Sequence, residues 1–159
     1  MTTKDNTTTM SATPPHRGGG WEGVYFTLTE LTYSATATAH SIANVPSAEA
    51  VKNLESLVLN VLDPLREAWG GPIIITSGYR CEGLNARVGG AKYSYHRLGM
   101  AADIRPANGN LEGLYDLILQ LFMSGLIGLT ECYIDRKRGY IHLAFDSSGF
   151  NVWPFLIEN

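Results

Sequence analysis

The sequence predicts an α+β fold in which a small antiparallel sheet has helices packed on one side. Two segments, 47–65 and 110–122, repeat apolar residues at intervals of three and four, which is typical of helices that bury one face. Three shorter apolar segments have the length of strands, at 72–76, 128–135 and 140–145. Because only four residues separate the last two, we expect them to pair as an antiparallel hairpin.

Capping residues and one proline set the expected limits of the two long helices. Ser47 and Asn110 precede the helical segments, and each can accept a hydrogen bond from a backbone N–H of the first turn. Pro64 interrupts the first helix, since its ring removes a donor and clashes with the preceding turn. We therefore expect either a kink or a new start, in which Asp63 caps a last short helix to Trp69.

The ends of the chain differ in composition from its middle. Residues 1–20 carry threonine, proline and glycine runs that bury too little apolar surface to offset the entropy of ordering, so we expect a disordered leader. Residues 21–159 are long enough to form one domain with a core. Near its start, 29–32 suggests a short helical turn and the small residues of 35–42 suggest an irregular loop. The tail at 151–157 is apolar enough to pack back on the domain.

The composition favours neither a nucleic acid nor a membrane as a partner. The formal net charge is −3, and the basic run at 136–138 is better explained as the solvated tip of the hairpin than as a phosphate site. Apolar runs stop well short of the roughly 20 residues that a bilayer-spanning helix needs. The polar residues 1–6 do not resemble a secretion signal, so we expect synthesis without a signal peptide, with the protein either cytoplasmic or released to the cell wall during phage lysis. We also expect a monomer.

The predicted hairpin places several polar side chains on one face of the sheet. If Asp135 pairs with Tyr140 across the four-residue loop, then Tyr133 lies opposite His142. Because side chains alternate along a strand, Glu131 and Asp135 then share a face with His142. Both acids are therefore candidates for a role beside this histidine.

A histidine and an aspartate seven residues apart suggest a metal site. His96 and Asp103 are separated by small residues at 99–102, which let the backbone pass close to an ion, and a short buried strand at 101–104 would carry Asp103 inward. His142 would join them from the hairpin. Two imidazoles and one carboxylate supply three ligands for a divalent ion and leave a position for water, which is typical of catalytic rather than structural zinc.

These residues belong to an ordered series of stretches that resembles the zinc D-alanyl-D-alanine carboxypeptidase family. The group includes phage L-alanyl-D-glutamate endopeptidases and shares its fold with the hedgehog signalling domain. The resemblance covers roughly residues 25 to 146. The stretches that carry it are 25–31, 53–66, 76–80, 84–85, 88–91, 94–104 and 140–142.

The resemblance implies a zinc peptidase domain that hydrolyses peptide bonds in peptidoglycan stem peptides. It implies one Zn²⁺ per chain, with His96, Asp103 and His142 as the ligands. Arg80 stands where the family uses an arginine to bind the carbonyl or carboxylate of the peptide and to stabilise the developing oxyanion. Ser94 stands where a hydroxyl binds substrate, although a serine at this position can equally cap a turn.

The general base is less clear from the resemblance. Many relatives place an acid three residues before the last histidine, but here that residue is Gly139. Other relatives place a glutamate on the preceding strand, and residues 129–131 resemble that arrangement. We expect Glu131 to be the base, with Asp135 as the alternative, since an aspartate beside a turn commonly caps it.

Other functions stay open from the sequence alone. A zinc-dependent module that binds cell-wall peptides without cleaving them would need no base. A cysteine hydrolase could pair Cys81 or Cys132, both expected as reduced thiols, with His142. The ligand set would also accept cobalt, nickel or manganese. The sequence does not separate carboxypeptidase from endopeptidase, nor an enzyme released to the cell wall during phage lysis from a bacterial one that recycles wall fragments.

Overall fold

The computed structural model describes residues 20–149. The leader expected at 1–20, Gly20 apart, and the apolar tail at 151–157 lie outside the described residues. Within the described range the fold is α+β, as the sequence predicts, with a four-stranded antiparallel sheet. The strands lie side by side in the order β1, β2, β4, β3. Their bounds are Ile73–Ser77 for β1, Ala101–Pro106 for β2, Glu131–Asp135 for β3 and Tyr140–Ala144 for β4.

Six α-helices accompany the sheet in the described part of the chain. The longest helix has 13 residues, and no described helix is long and apolar enough to cross a membrane. Apolar faces of the helices and the sheet form one core, which also takes in the start of the described chain at Phe26. The bounds are Leu28–Thr32 for α1, Ala35–Ala39 for α2, Ala48–Leu57 for α3, Asp63–Trp69 for α4, Glu82–Arg87 for α5 and Leu111–Met123 for α6.

Side-chain caps start the helices where the sequence predicts them. The Ser47 hydroxyl accepts a hydrogen bond from the backbone N–H of the third residue of α3, and Asn110 does the same for α6. The expectation of a loop at 35–42 is wrong for Ala35–Ala39, which form α2, and Ser34 caps this helix by accepting from the backbone N–H of Ala37 at 3.1 Å. Alanine at three of the five positions of α2 favours the helix.

The junction between α3 and α4 is a π-helical segment rather than a capped new start. Residues Val58–Leu62 keep helical backbone angles into Asp63, and Pro64 occupies the first turn of α4. The expected cap by Asp63 is therefore wrong. Its buried carboxylate instead accepts backbone hydrogen bonds from Val24 at 2.8 Å and Tyr25 at 3.0 Å, which tie the start of the domain to α4.

The register of the central strands brings polar side chains together at one face of the sheet. Asp103 of β2 pairs directly with His142 of β4. The hairpin has the predicted register, since Asp135 pairs with Tyr140 and Tyr133 with His142. A bulge between Ile75 and Ser77 bends β1 beside Asp103, so that the loop after β1 turns towards the same face.

Candidate metal centre

His96 lies in a short 3₁₀ turn between α5 and β2. Ser94 caps this turn by accepting a hydrogen bond from the His96 backbone N–H at 3.2 Å. Gly99 ends it with a φ of +75°, and a Cβ at this position would lie 2.4 Å from the Ala50 carbonyl oxygen. The His96 ring is buried, and its Nδ1 lies 2.7 Å from the carbonyl oxygen of Gly78. Nδ1 donates to this carbonyl, and Nε2 is the nitrogen that faces Asp103.

Both histidines approach the same carboxylate oxygen of Asp103. Oδ1 of Asp103 lies 3.1 Å from His96 Nε2 and 2.8 Å from His142 Nδ1. Each of these residues offers one ligand atom, and the three atoms all lie within 4.8 Å of one another. The structure thus brings together the three residues that the sequence predicts as metal ligands.

Burial and hydrogen bonding shift the protonation of the cluster in opposite directions. Burial alone would raise the pKa of Asp103, but the hydrogen bonds from His142 and His96 hold this pKa far below its ordinary value. Burial alone would lower the pKa of His142, but its contacts with Asp103 and Glu131 raise this pKa above the ordinary value. Without a metal, these shifts favour an ionised Asp103 carboxylate that contacts a protonated His142 imidazole.

The cluster fits a zinc ion in donor type and orientation. Zinc is commonly bound by histidine nitrogens together with a carboxylate oxygen, and all three side chains here are buried, which fixes them in place. Both ring nitrogens of His142 face carboxylate oxygens, so without a metal both would need a proton to donate. A cation bound by Nδ1 would replace one of these protons.

Arg80 holds the second oxygen of Asp103. Its Nη2 lies 3.4 Å from Asp103 Oδ2, while Nε donates to Ser77 Oγ at 3.0 Å and Nη1 to Asn85 Oδ1 at 3.3 Å. The Arg80 side chain is only 15% exposed, yet it lines the cleft. The guanidinium has five N–H donors, so these three contacts leave it able to donate to a molecule in the cleft.

Asn85 is a site residue that the sequence indicates only through its place in the matching stretches. It is buried, and its side-chain amide donates to the Ala91 carbonyl oxygen at 2.9 Å while its oxygen accepts from Arg80. A Cβ on Gly90 would lie 2.1 Å from that oxygen, so glycine allows the loop to pass. Asn85 therefore ties the Arg80 side chain to the loop that forms one wall of the cleft.

His96, Asp103 and His142 line a cleft of about 590 Å³. Ser94 lines this cleft, but its oxygen also caps the 3₁₀ turn, so the structure shows the capping role that the sequence left open. Four tyrosines are among the residues that line the cleft. The tyrosines are Tyr93, Tyr95, Tyr133 and Tyr140.

The two acids considered as general base have different surroundings. Glu131 lines the cleft, and its Oε2 lies 3.1 Å from His142 Nε2, while its side chain is 49% exposed. Asp135 is absent from the residues that line the cleft, and its Oδ1 accepts the backbone N–H of Arg138 at 2.9 Å. Asp135 therefore caps the hairpin turn, whereas Glu131 faces the metal cluster.

The two cysteines lie away from the chemistry of the cleft. Cys132 pairs with Leu143 and points into the core, and burial raises the pKa of its thiol to about 12. Cys81 precedes α5, and neither thiol lines the cleft. Both cysteines are free, as expected. A thiol at this pKa holds little thiolate near neutral pH, so Cys132 is poorly suited to act as a nucleophile.

The family model for peptidase M15 matches residues 24–144, which include the whole metal cluster. The chain belongs to the peptidase M15 family. No curated protein matches the chain. Membership of the M15 family implies a metallopeptidase with a peptide substrate, and this family depends on zinc. In this M15 chain, His96, Asp103 and His142 form a possible site for the ion.

Proposed function

We propose that this M15 chain hydrolyses peptide bonds in peptidoglycan stem peptides, as a carboxypeptidase or an endopeptidase. The observation that carries the proposal is the convergence of His96, Asp103 and His142 at the base of an open cleft, with Glu131 beside them. These three residues would hold one Zn²⁺. When bound, zinc would act as a Lewis acid towards the scissile carbonyl and the attacking water.

Glu131 is the proposed proton carrier. Its Oε2 contacts the outer nitrogen of His142, while half of its side chain is open to the cleft. A carboxylate in this position can accept a proton from the attacking water and give it to the leaving amine as the peptide C–N bond breaks. The exposure of Glu131 supports this role, because the side chain must reach both atoms in turn.

Arg80 and Ser94 are the proposed substrate contacts. The Arg80 guanidinium is anchored by Ser77, Asn85 and Asp103, so its remaining donors are held in a fixed orientation towards the cleft. Such donors suit the carbonyl oxygen as negative charge develops on it. The Ser94 hydroxyl can donate to a substrate carbonyl while its oxygen accepts from His96.

The proposal is tested by mass spectrometry of purified wall peptides incubated with the protein, with and without a chelator. We expect new peptide fragments that require zinc and disappear with the chelator. The masses of the fragments also separate loss of a terminal D-residue from internal cleavage. Wall peptides that bind to the zinc-loaded protein but stay intact would instead support the peptide-binding alternative.

A further inference from the structure

We infer that Tyr133 is a positioning residue that holds the imidazole of His142 in the plane required for zinc binding. Tyr133 is the direct cross-strand partner of His142, and the two rings stack with centroids 4.7 Å apart and an interplanar angle of 18°. The inference rests on the zinc site of the proposed function, in which His142 is a ligand. Tyr133 has no other role in the proposed function.

Hydrogen bonds alone leave one movement of the His142 ring weakly restrained. Nδ1 faces Asp103 at 2.8 Å and Nε2 faces Glu131 at 3.1 Å, so both contacts act close to the plane of the ring. Such contacts fix the direction of the two nitrogens better than they resist tilting of the ring. A flat side chain stacked on the face of the ring opposes that tilt directly.

The position of Tyr133 in the sheet makes the stack rigid. The Tyr133 ring meets the ring of Tyr140 edge to face, with centroids 6.5 Å apart. Tyr133 therefore covers one face of His142 with a ring that its neighbours hold in place.

His96 provides a comparison within the same cluster. It is the buried residue of its 3₁₀ turn, at 3% exposed, and its Nδ1 lies 2.7 Å from the Gly78 carbonyl oxygen. His142 lies on β4, between β2 and the edge strand β3, and is 5% exposed. The His96 ring is thus held by a backbone contact at Nδ1, whereas the His142 ring has the ring of Tyr133 stacked on its face.

The experiment measures the zinc dissociation constant of purified full-length variants by competition with a chromophoric chelator. Tyr133→Leu removes the ring, and we expect the zinc dissociation constant to rise about tenfold, as is typical when a group that orients a ligand is lost. Tyr133→Phe keeps the ring and should bind zinc within about twofold of the unaltered protein. Tyr93→Leu is the matched control, because Tyr93 lines the same cleft but is 85% exposed.

Three outcomes would overturn the inference, and a second variant covers misfolding. Zinc binding by Tyr133→Leu equal to that of the unaltered protein would show that the stack is dispensable. Weak binding by Tyr133→Phe would assign the effect to the hydroxyl. If Tyr133→Leu does not fold, as judged by circular dichroism, Tyr133→Met takes its place and must show the same loss. An unaltered protein that binds no zinc would remove the proposed function itself, which the other outcomes leave intact.

Discussion

The two carboxylates that contact His142 lie in different regions of the sheet and have opposite surroundings. Asp103 lies on the inner strand β2, is 6% exposed and contacts His96, His142 and Arg80. Glu131 begins the edge strand β3 and is half exposed. The comparison teaches that burial separates the two roles, since an immobile acid suits a metal ligand and an exposed acid suits proton transfer.

The energetics of the two regions follow from the same difference. Removing one partner of a buried ion pair leaves the other charge without compensation, which costs about 3–5 kcal/mol. Partly exposed pairs contribute far less, because water replaces the lost partner. Loss of the Asp103 carboxylate should therefore affect metal binding and stability together, whereas loss of the exposed Glu131 carboxylate should affect turnover alone.

The largest effect is expected for Asp103→Asn, which removes the charge from the centre of the cluster while keeping its shape. We expect zinc affinity to fall more than about 100-fold, beyond the range found for residues that only orient a ligand. Hydrolysis of wall peptides should disappear with the metal. Elemental analysis after dialysis measures the zinc content. An Asp103→Asn protein that keeps one zinc per chain would show that this carboxylate is not a ligand.

The metal-free protein should be most stable between about pH 4 and 6.5. The pKa of Asp103 lies below its ordinary value of 3.8 in the folded state, so its contribution to stability is lost as the pH falls below that value. The pKa of His142 is raised above 6.5, so its contribution is lost as the pH rises past that value. Urea unfolding in the presence of a chelator measures the free energy at pH 3, 5 and 8.

The same titration on Asp103→Asn provides the control. This variant lacks the acid that stabilises the charged imidazole, so the declines of its unfolding free energy at low and at high pH should both become smaller. The remainder at low pH comes from carboxylates such as Glu112 and Asp146, whose pKa values are also lowered. Arg80 and Glu131 also face the cluster and are unchanged in both proteins. Equal pH profiles for the two proteins would assign the stability change to other groups.

A smaller effect is expected for Asp135→Asn at the other end of β3. Asp135 accepts a backbone hydrogen bond in the hairpin turn, so the substitution should lower the free energy of unfolding by about 1 kcal/mol or less. The rate of hydrolysis should stay within about twofold of that of the unaltered protein, because Asp135 is not the proposed base. Loss of a general base would lower the rate by about 10²-fold or more. A large loss of turnover with zinc retained would transfer the role of the base to Asp135.

The smallest effect is expected from thiol modification. Cys132 is buried in the core with a raised pKa, and neither cysteine lines the cleft. Treatment of the folded protein with iodoacetamide should therefore leave the rate of hydrolysis unchanged. Mass spectrometry checks which thiols have reacted. Hydrolysis that stops on alkylation and persists with a chelator would support the cysteine hydrolase alternative.

Local sequence patterns predicted the elements that carry the site. Strand periodicity and the short loop predict the hairpin register, which places Glu131 and Tyr133 on the face of His142, as the structure shows. The spacing of His96 and Asp103, together with the family resemblance, predicted the cluster that the structure brings together. The hairpin register is predictable because side-chain alternation in a strand is a local property, whereas the prediction of the cluster needed the family resemblance as well.

Contacts between distant parts of the chain could not be predicted in the same way. Asp63 lies beside a proline in the sequence and suggested a helix cap, yet its carboxylate bonds to a segment 38 and 39 residues away. Arg80 suggested a substrate contact, but its side chain also contacts the carboxylate of Asp103, 23 residues away in the sequence. Neither partner is visible in a local pattern, because each depends on how the elements pack.

The most direct test of the difference between the two carboxylates is the zinc content and turnover of Glu131→Gln, measured on the same sample. Glutamine keeps the size of the side chain and its contact with His142 but cannot carry the proton. We predict one zinc per chain and a rate of wall-peptide hydrolysis lower by about 10²- to 10⁴-fold. Undiminished hydrolysis, or loss of the zinc, would contradict the assignment of metal binding to Asp103 and proton transfer to Glu131.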